Sequence, residues 1–153
     1  MKICALVVKL LNKEKIQNIK ISIEHEILNK INSGFLYFMI TIYSEEEVVL
    51  AEILVNIRKR YPDIHILAVV PTSYYFFKEY NKYKIRIENI ISNCSAVDTI
   101  GEWGKSANKN KIDEFLIRNC SDVIIITKAN YEKRLWIYSA SDLYKKNKVV
   151  IEI

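Results

Sequence analysis

The chain has 153 residues, of which 50% are hydrophobic and 27% are charged, and its formal net charge is +5. This length and balance indicate one globular domain and exclude a low-complexity chain. The charge is moderate, so it permits an acidic partner such as nucleic acid without requiring one. Only 3 glycines and 2 prolines are present, which predicts regular elements joined by short connections.

Cysteine and histidine give no sign of a disulfide framework or a metal site. Cys4, Cys94 and Cys120 are odd in number and lie in apolar or helix-end contexts, which predicts buried, reduced thiols. His25 and His65 lack the close spacing of zinc ligands. We therefore expect neither a metal nor another cofactor.

The apolar runs are short. Ile3–Val8 is closed by Lys9, so it is too short for the core of a signal peptide. Phe35–Tyr43 is too short to cross a bilayer. The sequence therefore predicts a cytoplasmic protein that has no membrane partner.

Apolar runs alternate with amphipathic stretches from the first residues onward. Ile3–Val8 is typical of a buried strand, and Asn12 is placed to cap a following helix whose isoleucines recur every three or four residues as far as Ile31. Phe35–Ile42 is a second expected strand. Glu45–Arg60 is a helix that begins with acids and ends with bases, as the helix dipole favours.

The same alternation continues to the end of the chain. The further expected strands are Ile64–Val70, Val97–Ile100, Val123–Thr127 and Val149–Ile153, and the helices between them cover Phe76–Cys94, Lys111–Asn119 and Tyr131–Lys146. Strands without polar alternation, each followed by a helix, predict a parallel sheet that is covered on both faces.

These elements predict an α/β fold, a three-layer Rossmann-like domain over residues 1–153 with a mostly parallel six-stranded sheet. Right-handed crossovers favour the strand order 3-2-1-4-5-6. In such sheets ligands bind where the strand order reverses, above the carboxyl ends of the strands. The site is therefore expected between the segments Val8–Asn12 and Ile100–Lys105.

A family resemblance supports this fold. It rests on Ala51-Glu52, Tyr61-Pro62-Asp63 and Val69-Val70-Pro71 within Gly34–Pro71, and on Cys120-Ser121-Asp122 before the fifth strand. These stretches resemble the YpsA-like branch of the SLOG superfamily, which is Rossmann-like and includes nucleotide-binding domains and the LOG phosphoribohydrolases. The resemblance covers nearly the whole chain and implies descent from a nucleotide-binding domain.

The positions that hold nucleotide in that family are changed here. Glycines of the family are replaced by Val8, Ile42, Glu45 and the turn Tyr131–Arg134, and its basic-Asn pair reads Asp113-Glu114. The acid at Glu47 remains. Without glycine the backbone cannot approach a phosphate closely, and Glu45 repels an anion. The resemblance therefore implies a degenerate nucleotide-binding site.

The loop Gly101–Lys105 gathers glycine, an aromatic ring and both charge signs at the expected crevice. Trp103 is suited to stack on a ligand, with Lys105 pairing an anion and Glu102 accepting a hydroxyl. A tight loop whose Trp packs on the surface is the alternative. The candidate ligand-binding residues are Lys9, Asn12, Glu45, Glu47, Tyr74, Glu102, Trp103 and Lys105.

Two other interpretations are less favoured. The segment Lys78–Arg86 interleaves cations with aromatics, as binders of single-stranded nucleic acid do, but its helical phase buries Tyr80 and Tyr83 and leaves an ordinary basic face. Glu47 and Asp122 are candidate paired carboxylates, although Asp122 fits better as a residue that leads into a strand.

The function that we expect is a non-catalytic domain that binds a small ligand or a protein partner. The alternative is a divergent sensor or hydrolase of a nucleotide derivative, with Glu47 and Glu102 as its acids. Nucleic-acid binding through the basic helix is third. Homo-oligomerisation stays open.

Overall fold

The computed structural model describes residues 1–71, 74–100 and 109–153. Strands and helices alternate along the chain. The elements are β1 (Ile3–Lys9), α1 (Lys13–Asn18), α2 (Lys20–Asn32), β2 (Tyr37–Thr41), α3 (Glu45–Arg60), β3 (His65–Pro71), α4 (Tyr74–Ser92), β4 (Ala96–Ile100), α5 (Lys109–Asn119), β5 (Asp122–Thr127), α6 (Trp136–Leu143) and β6 (Asn147–Glu152), with a 3₁₀ turn at Glu132–Arg134 before α6.

The six strands form one sheet in the order β4-β3-β2-β1-β5-β6, and every neighbouring pair is parallel. The predicted α/β class and Rossmann-like layering are confirmed. The predicted order 3-2-1-4-5-6 is wrong, because β4 pairs with β3 at the edge and β5 pairs with β1. The strand order therefore reverses between β1 and β5.

Side-chain polarity explains this order. The β4 segment includes Asp98 and Thr99, and its side chains are mostly exposed, which suits an edge strand. The β5 segment is buried along its whole length, with Val123–Ile126 continuously apolar. A strand that is apolar on both sides is stable only where helices cover both faces of the sheet, so β5 lies next to β1.

Helices cover the sheet on both faces. Leu6, Phe38 and Ile40 point to one face and pack against residues of α1 to α4. Ala5 and Met39 point to the other face and pack against α5 and α6. The alternation of side chains along each strand separates the two clusters. The result is three layers, with the carboxyl ends of all six strands at one edge.

The first helical segment is divided in two, where one continuous helix was expected. Asn12 caps α1, and its side chain accepts a hydrogen bond from the Lys15 N–H at 3.0 Å. Ile19 then departs from helical geometry, with φ −108° and ψ 17°, before α2 begins. Ile16 and Ile23 are nevertheless both fully buried, so the apolar pattern continues across the break.

The cysteines and the helices can be compared with what the sequence predicts. Cys4, Cys94 and Cys120 are free, the first and last buried and Cys94 half-buried. Over residues 1–71, 74–100 and 109–153, no helix has the length and apolar character needed to cross a bilayer.

Candidate functional site

Three strands bring polar side chains to the same face at the carboxyl edge of the sheet. Lys9 ends β1, Thr41 ends β2 and Thr127 ends β5, and Lys9 lies opposite Thr127 in the strand register. Val7, Met39 and Ile125, each two residues earlier in its strand, face α5 and α6. Because side chains two positions apart lie on the same face of a sheet, Lys9, Thr41 and Thr127 also face α5 and α6. Parallel sheets leave a ligand-binding crevice at this edge, where the strand order reverses.

An ion pair joins β1 to the first half of α5. The Lys9 Nζ lies 3.0 Å from both carboxylate oxygens of Asp113. Asp113 is only 6% exposed and Lys9 is partly buried. A pair this shielded interacts more strongly than one on the open surface, because less water screens it. It holds a positive and a negative group at the carboxyl edge together.

Glu47 occupies the first turn of α3 and turns back toward the end of β2. Its carboxylate accepts hydrogen bonds from the Tyr43 N–H at 3.2 Å, from the Ser44 hydroxyl at 3.3 Å and from the Thr41 hydroxyl. Burial raises the pKa of the Glu47 carboxyl from 4.5 to about 7, against the opposing effects of Thr41 and Lys9. The Glu47 carboxyl therefore changes its protonation state near neutral pH.

These groups enclose a small cavity, which we call the carboxyl-edge pocket. It is lined by Lys9, Thr41, Tyr43, Glu47, Ile112 and Asp113 and has a volume of about 20 Å³. A cavity of this size holds about one water molecule. It is therefore large enough for one polar group of a ligand, such as a hydroxyl or an amine, while the rest of that ligand would lie outside.

A buried hydroxyl flanks the pocket on the β5 side of Lys9. Thr127 has no exposed surface, and within the described residues its Oγ1 has no hydrogen-bond partner. Buried polar groups in proteins are nearly always paired with protein or with water. Thr127 is therefore a further polar group at this edge that can accept a partner.

The structure brings together two of the candidate residues, Lys9 and Glu47. Asn12 is an exposed helix cap outside the pocket. Glu45 forms an ion pair with Lys13 at 2.9 Å, which lowers the pKa of the Glu45 carboxyl. Tyr74 begins α4, but its side chain lies outside the described part of the structure.

The candidate loop after β4 also lies outside the described residues, with Glu102, Trp103 and Lys105 in it. The topological reason for placing it at the crevice is wrong. Ile100 pairs with Pro71 of β3, and three strand spacings separate β4 from β1, about 14 Å. The strand order reverses instead between β1 and β5, so a crevice is expected at the ends of those two strands.

Sequence reasoning missed Thr41, Thr127 and Asp113 as site residues. The two threonines share a signal, because each directly follows a buried apolar run, Phe38–Ile40 and Val123–Ile126. No local pattern pointed to Asp113, since only the crossover of α5 onto β1 brings it to Lys9; the family resemblance alone marked its position, as one that is changed from the nucleotide-binding pattern. Its contact with Lys9 spans 104 positions of the chain.

The less favoured candidates have structural partners. Asp122 begins β5 and therefore lies at the amino edge of the sheet, whereas Glu47 lies at the carboxyl edge. The two carboxylates therefore do not form a pair. It accepts a hydrogen bond from the Lys30 ammonium at 2.6 Å. In the basic helix, Arg86 Nε donates to Glu52 at 3.2 Å, and Tyr83 is only 8% exposed. Part of that basic face is therefore already neutralised.

No cluster of three or more His, Cys, Asp and Glu side chains is placed to hold a metal ion within the described ranges. Comparison with known proteins does not identify a family: no family model matches the chain, and no curated protein is significantly similar to it. The resemblance to the YpsA-like branch of the SLOG superfamily stays a prediction, and function has to be argued from the carboxyl-edge pocket itself.

Proposed function

We propose that this chain is a cytoplasmic, non-catalytic domain that binds a small ligand through the carboxyl-edge pocket. The observation that carries the proposal is the convergence of Lys9, Glu47 and Asp113 at the carboxyl edge of an open parallel sheet. Ligand sites of such folds lie at this edge, and a few convergent polar groups in a concave site are typical of them. A perturbed pKa in the same pocket adds to the argument.

The charges of the pocket select the ligand. Glu47 and Asp113 are acids, and the Lys9 ammonium is already paired with Asp113. A phosphate would therefore lie beside two carboxyl groups and beside a cation whose charge is already balanced by Asp113. An amine or a hydroxyl can instead donate a hydrogen bond to Glu47, so the pocket suits an uncharged or cationic group.

The neighbouring backbone also disfavours phosphate. Ile42 stands where the resembling family has glycine, and it is fully buried, so its side chain fills the space that a glycine would leave. Leu10 follows β1 with a positive φ of 61° and exposes more than half of its surface. A bulky residue there prevents the close approach of an anion to the backbone amides.

We expect adenine and guanine mono-, di- and triphosphates to leave the melting temperature unchanged at millimolar concentration. Binding at about a hundred times the dissociation constant would add about 2.7 kcal/mol and raise the melting temperature by several degrees. Small amines and polyols form the comparison panel. A shift of several degrees with any of these nucleotides would contradict the proposal.

A divergent sensor or hydrolase of a nucleotide derivative is the second candidate. It is favoured by the pKa of about 7 of Glu47, because a general acid or base works best when its pKa lies near the operating pH. It ranks second because Thr41, Tyr43 and Ser44 already donate to that carboxylate. Turnover that Glu47→Gln abolishes would favour it over simple binding.

A further inference from the structure

The last strand lies at one edge of the sheet, where its backbone has a paired side and an open side. Among the described residues β6 pairs with β5 alone. The Ile153 N–H donates to the Thr127 carbonyl at 3.1 Å, and the Ala129 N–H donates to the Ile153 carbonyl at 2.8 Å. Backbone groups alternate in direction along a strand. Those of Lys148, Val150 and Glu152 therefore point away from β5.

The three outward residues carry a charge pattern that is complementary to itself. Lys148 and Glu152 have opposite charges and lie two residues on either side of Val150. In an antiparallel pair of identical strands centred on Val150, Lys148 of each copy lies opposite the partner's Glu152.

We propose that a second copy of this chain pairs antiparallel with β6 about a two-fold axis at Val150, so that the two sheets become continuous. Val150, Lys148 and Glu152 then form hydrogen-bonded pairs with the second copy, and each such pair exchanges two backbone bonds. The contact is isologous, with the same surface on both copies, as in most homodimers.

Strand length selects the register, and charge selects the direction. A pairing centred one residue earlier, on Val149, would place Lys148 opposite a valine and Glu152 opposite Lys146, which precedes β6, so its ion pairs would lie beyond the end of the strand. A parallel in-register arrangement would place like charges side by side, which is unfavourable. The pairing centred on Val150 uses every outward backbone group of β6 and matches both charges.

The side chains beside this edge are already arranged for such a contact. Lys148 forms an ion pair with Asp142, and its ammonium lies 4.0 Å from the centre of the Tyr138 ring. Asp142 is largely exposed, so water screens its ion pair with Lys148, and the partner's Glu152 would share this ammonium with Asp142. Because the Lys148 side chain is already held in place, less side-chain freedom is lost when the copies associate.

A groove on the other face supplies apolar surface. It runs between α2 and β6, has a volume of about 500 Å³ and is lined in part by Ile21, His25 and Ile151. Ile21 is 84% exposed. A stable interface buries at least about 1,200 Å² in total, more than five paired residues supply. In the proposed dimer the remainder would come from the apolar side chains of this groove on both copies.

Sedimentation equilibrium tests the dimer with two charge reversals. Glu152→Lys places lysine opposite lysine at both ends of the paired strands, and Lys148→Glu places acid opposite acid. We expect each variant alone to raise the dimer dissociation constant at least about tenfold, because each substitution acts twice across the axis. An equimolar mixture of the two variants restores both ion pairs and should associate as the wild type does.

The control is Glu14→Lys, the same charge change at an exposed residue of α1, which should leave association unchanged. Thermal melting shows whether each variant is folded. Amide exchange gives a second measure, because the Val150 amide should become protected as the wild-type concentration rises. A wild type that stays monomeric at about 1 mM, or a dimer that Glu152→Lys does not weaken, would overturn the proposal.

Discussion

The free energy of unfolding of the wild type is expected to fall by up to about 3 kcal/mol between acid and mildly alkaline pH, and Glu47→Gln is expected to remove this pH dependence. Burial raises the pKa of Glu47 from 4.5 to about 7. The unfolded chain therefore releases this proton near pH 4.5, whereas the folded protein keeps it until about pH 7. The stability that protonated Glu47 contributes is fully present below pH 4.5 and is lost as the pH rises through 7.

Urea unfolding at a series of pH values measures this loss. The difference between wild type and Glu47→Gln isolates Glu47, since every other titrating group is present in both. Glu46→Gln, in the same helical turn, is the matched control and should keep the pH dependence of the wild type. Parallel pH curves for the wild type and Glu47→Gln would show that Glu47 has an ordinary carboxyl pKa.

Replacing Asp122 by Ala is expected to lower the free energy of unfolding by about 3 kcal/mol, because breaking a buried ion pair leaves a charge without its partner. The Lys30 ammonium lies 2.6 Å from Asp122, and the side chains are 14% and 10% exposed. The Asn147 amide also donates to Asp122 at 3.3 Å. The substitution therefore removes two interactions at the amino end of β5.

A double variant separates the ion pair from the packing around it. Lys30→Met with Asp122→Leu replaces both charges by apolar groups and should recover much of the lost stability. Asp142→Ala is the control, because Asp142 pairs with Lys148 at the surface and exposed pairs contribute less than about 1 kcal/mol. A loss below about 1 kcal/mol for Asp122→Ala would show that the pair contributes little.

Local sequence pattern predicted the strands and helices well, because the inner strands contain apolar runs that are buried on both faces of the sheet. The strand order failed because handedness rules allow β4 on either side of the sheet. The polar residues Asp98 and Thr99 favour an edge position for β4. The helix break at Ile19 was also missed, since the buried isoleucines keep their spacing across it.

Residues of the carboxyl-edge pocket were predicted only where a local signal existed. Lys9 ends an apolar strand and Glu47 lies in the first turn after one, so both could be placed at the carboxyl edge. Asp113 reaches the site through the crossover of α5, which depends on the order of β4 and β5.

Native mass spectrometry of freshly purified protein can show whether the carboxyl-edge pocket binds a ligand and of which chemistry. We expect one small molecule per chain, carrying an amine or hydroxyl and no phosphate, with at least about tenfold lower occupancy in Asp113→Asn than in the wild type. The control Glu14→Gln should retain the molecule as the wild type does. A retained nucleotide, or a ligand bound equally by wild type and Asp113→Asn, would contradict this assignment.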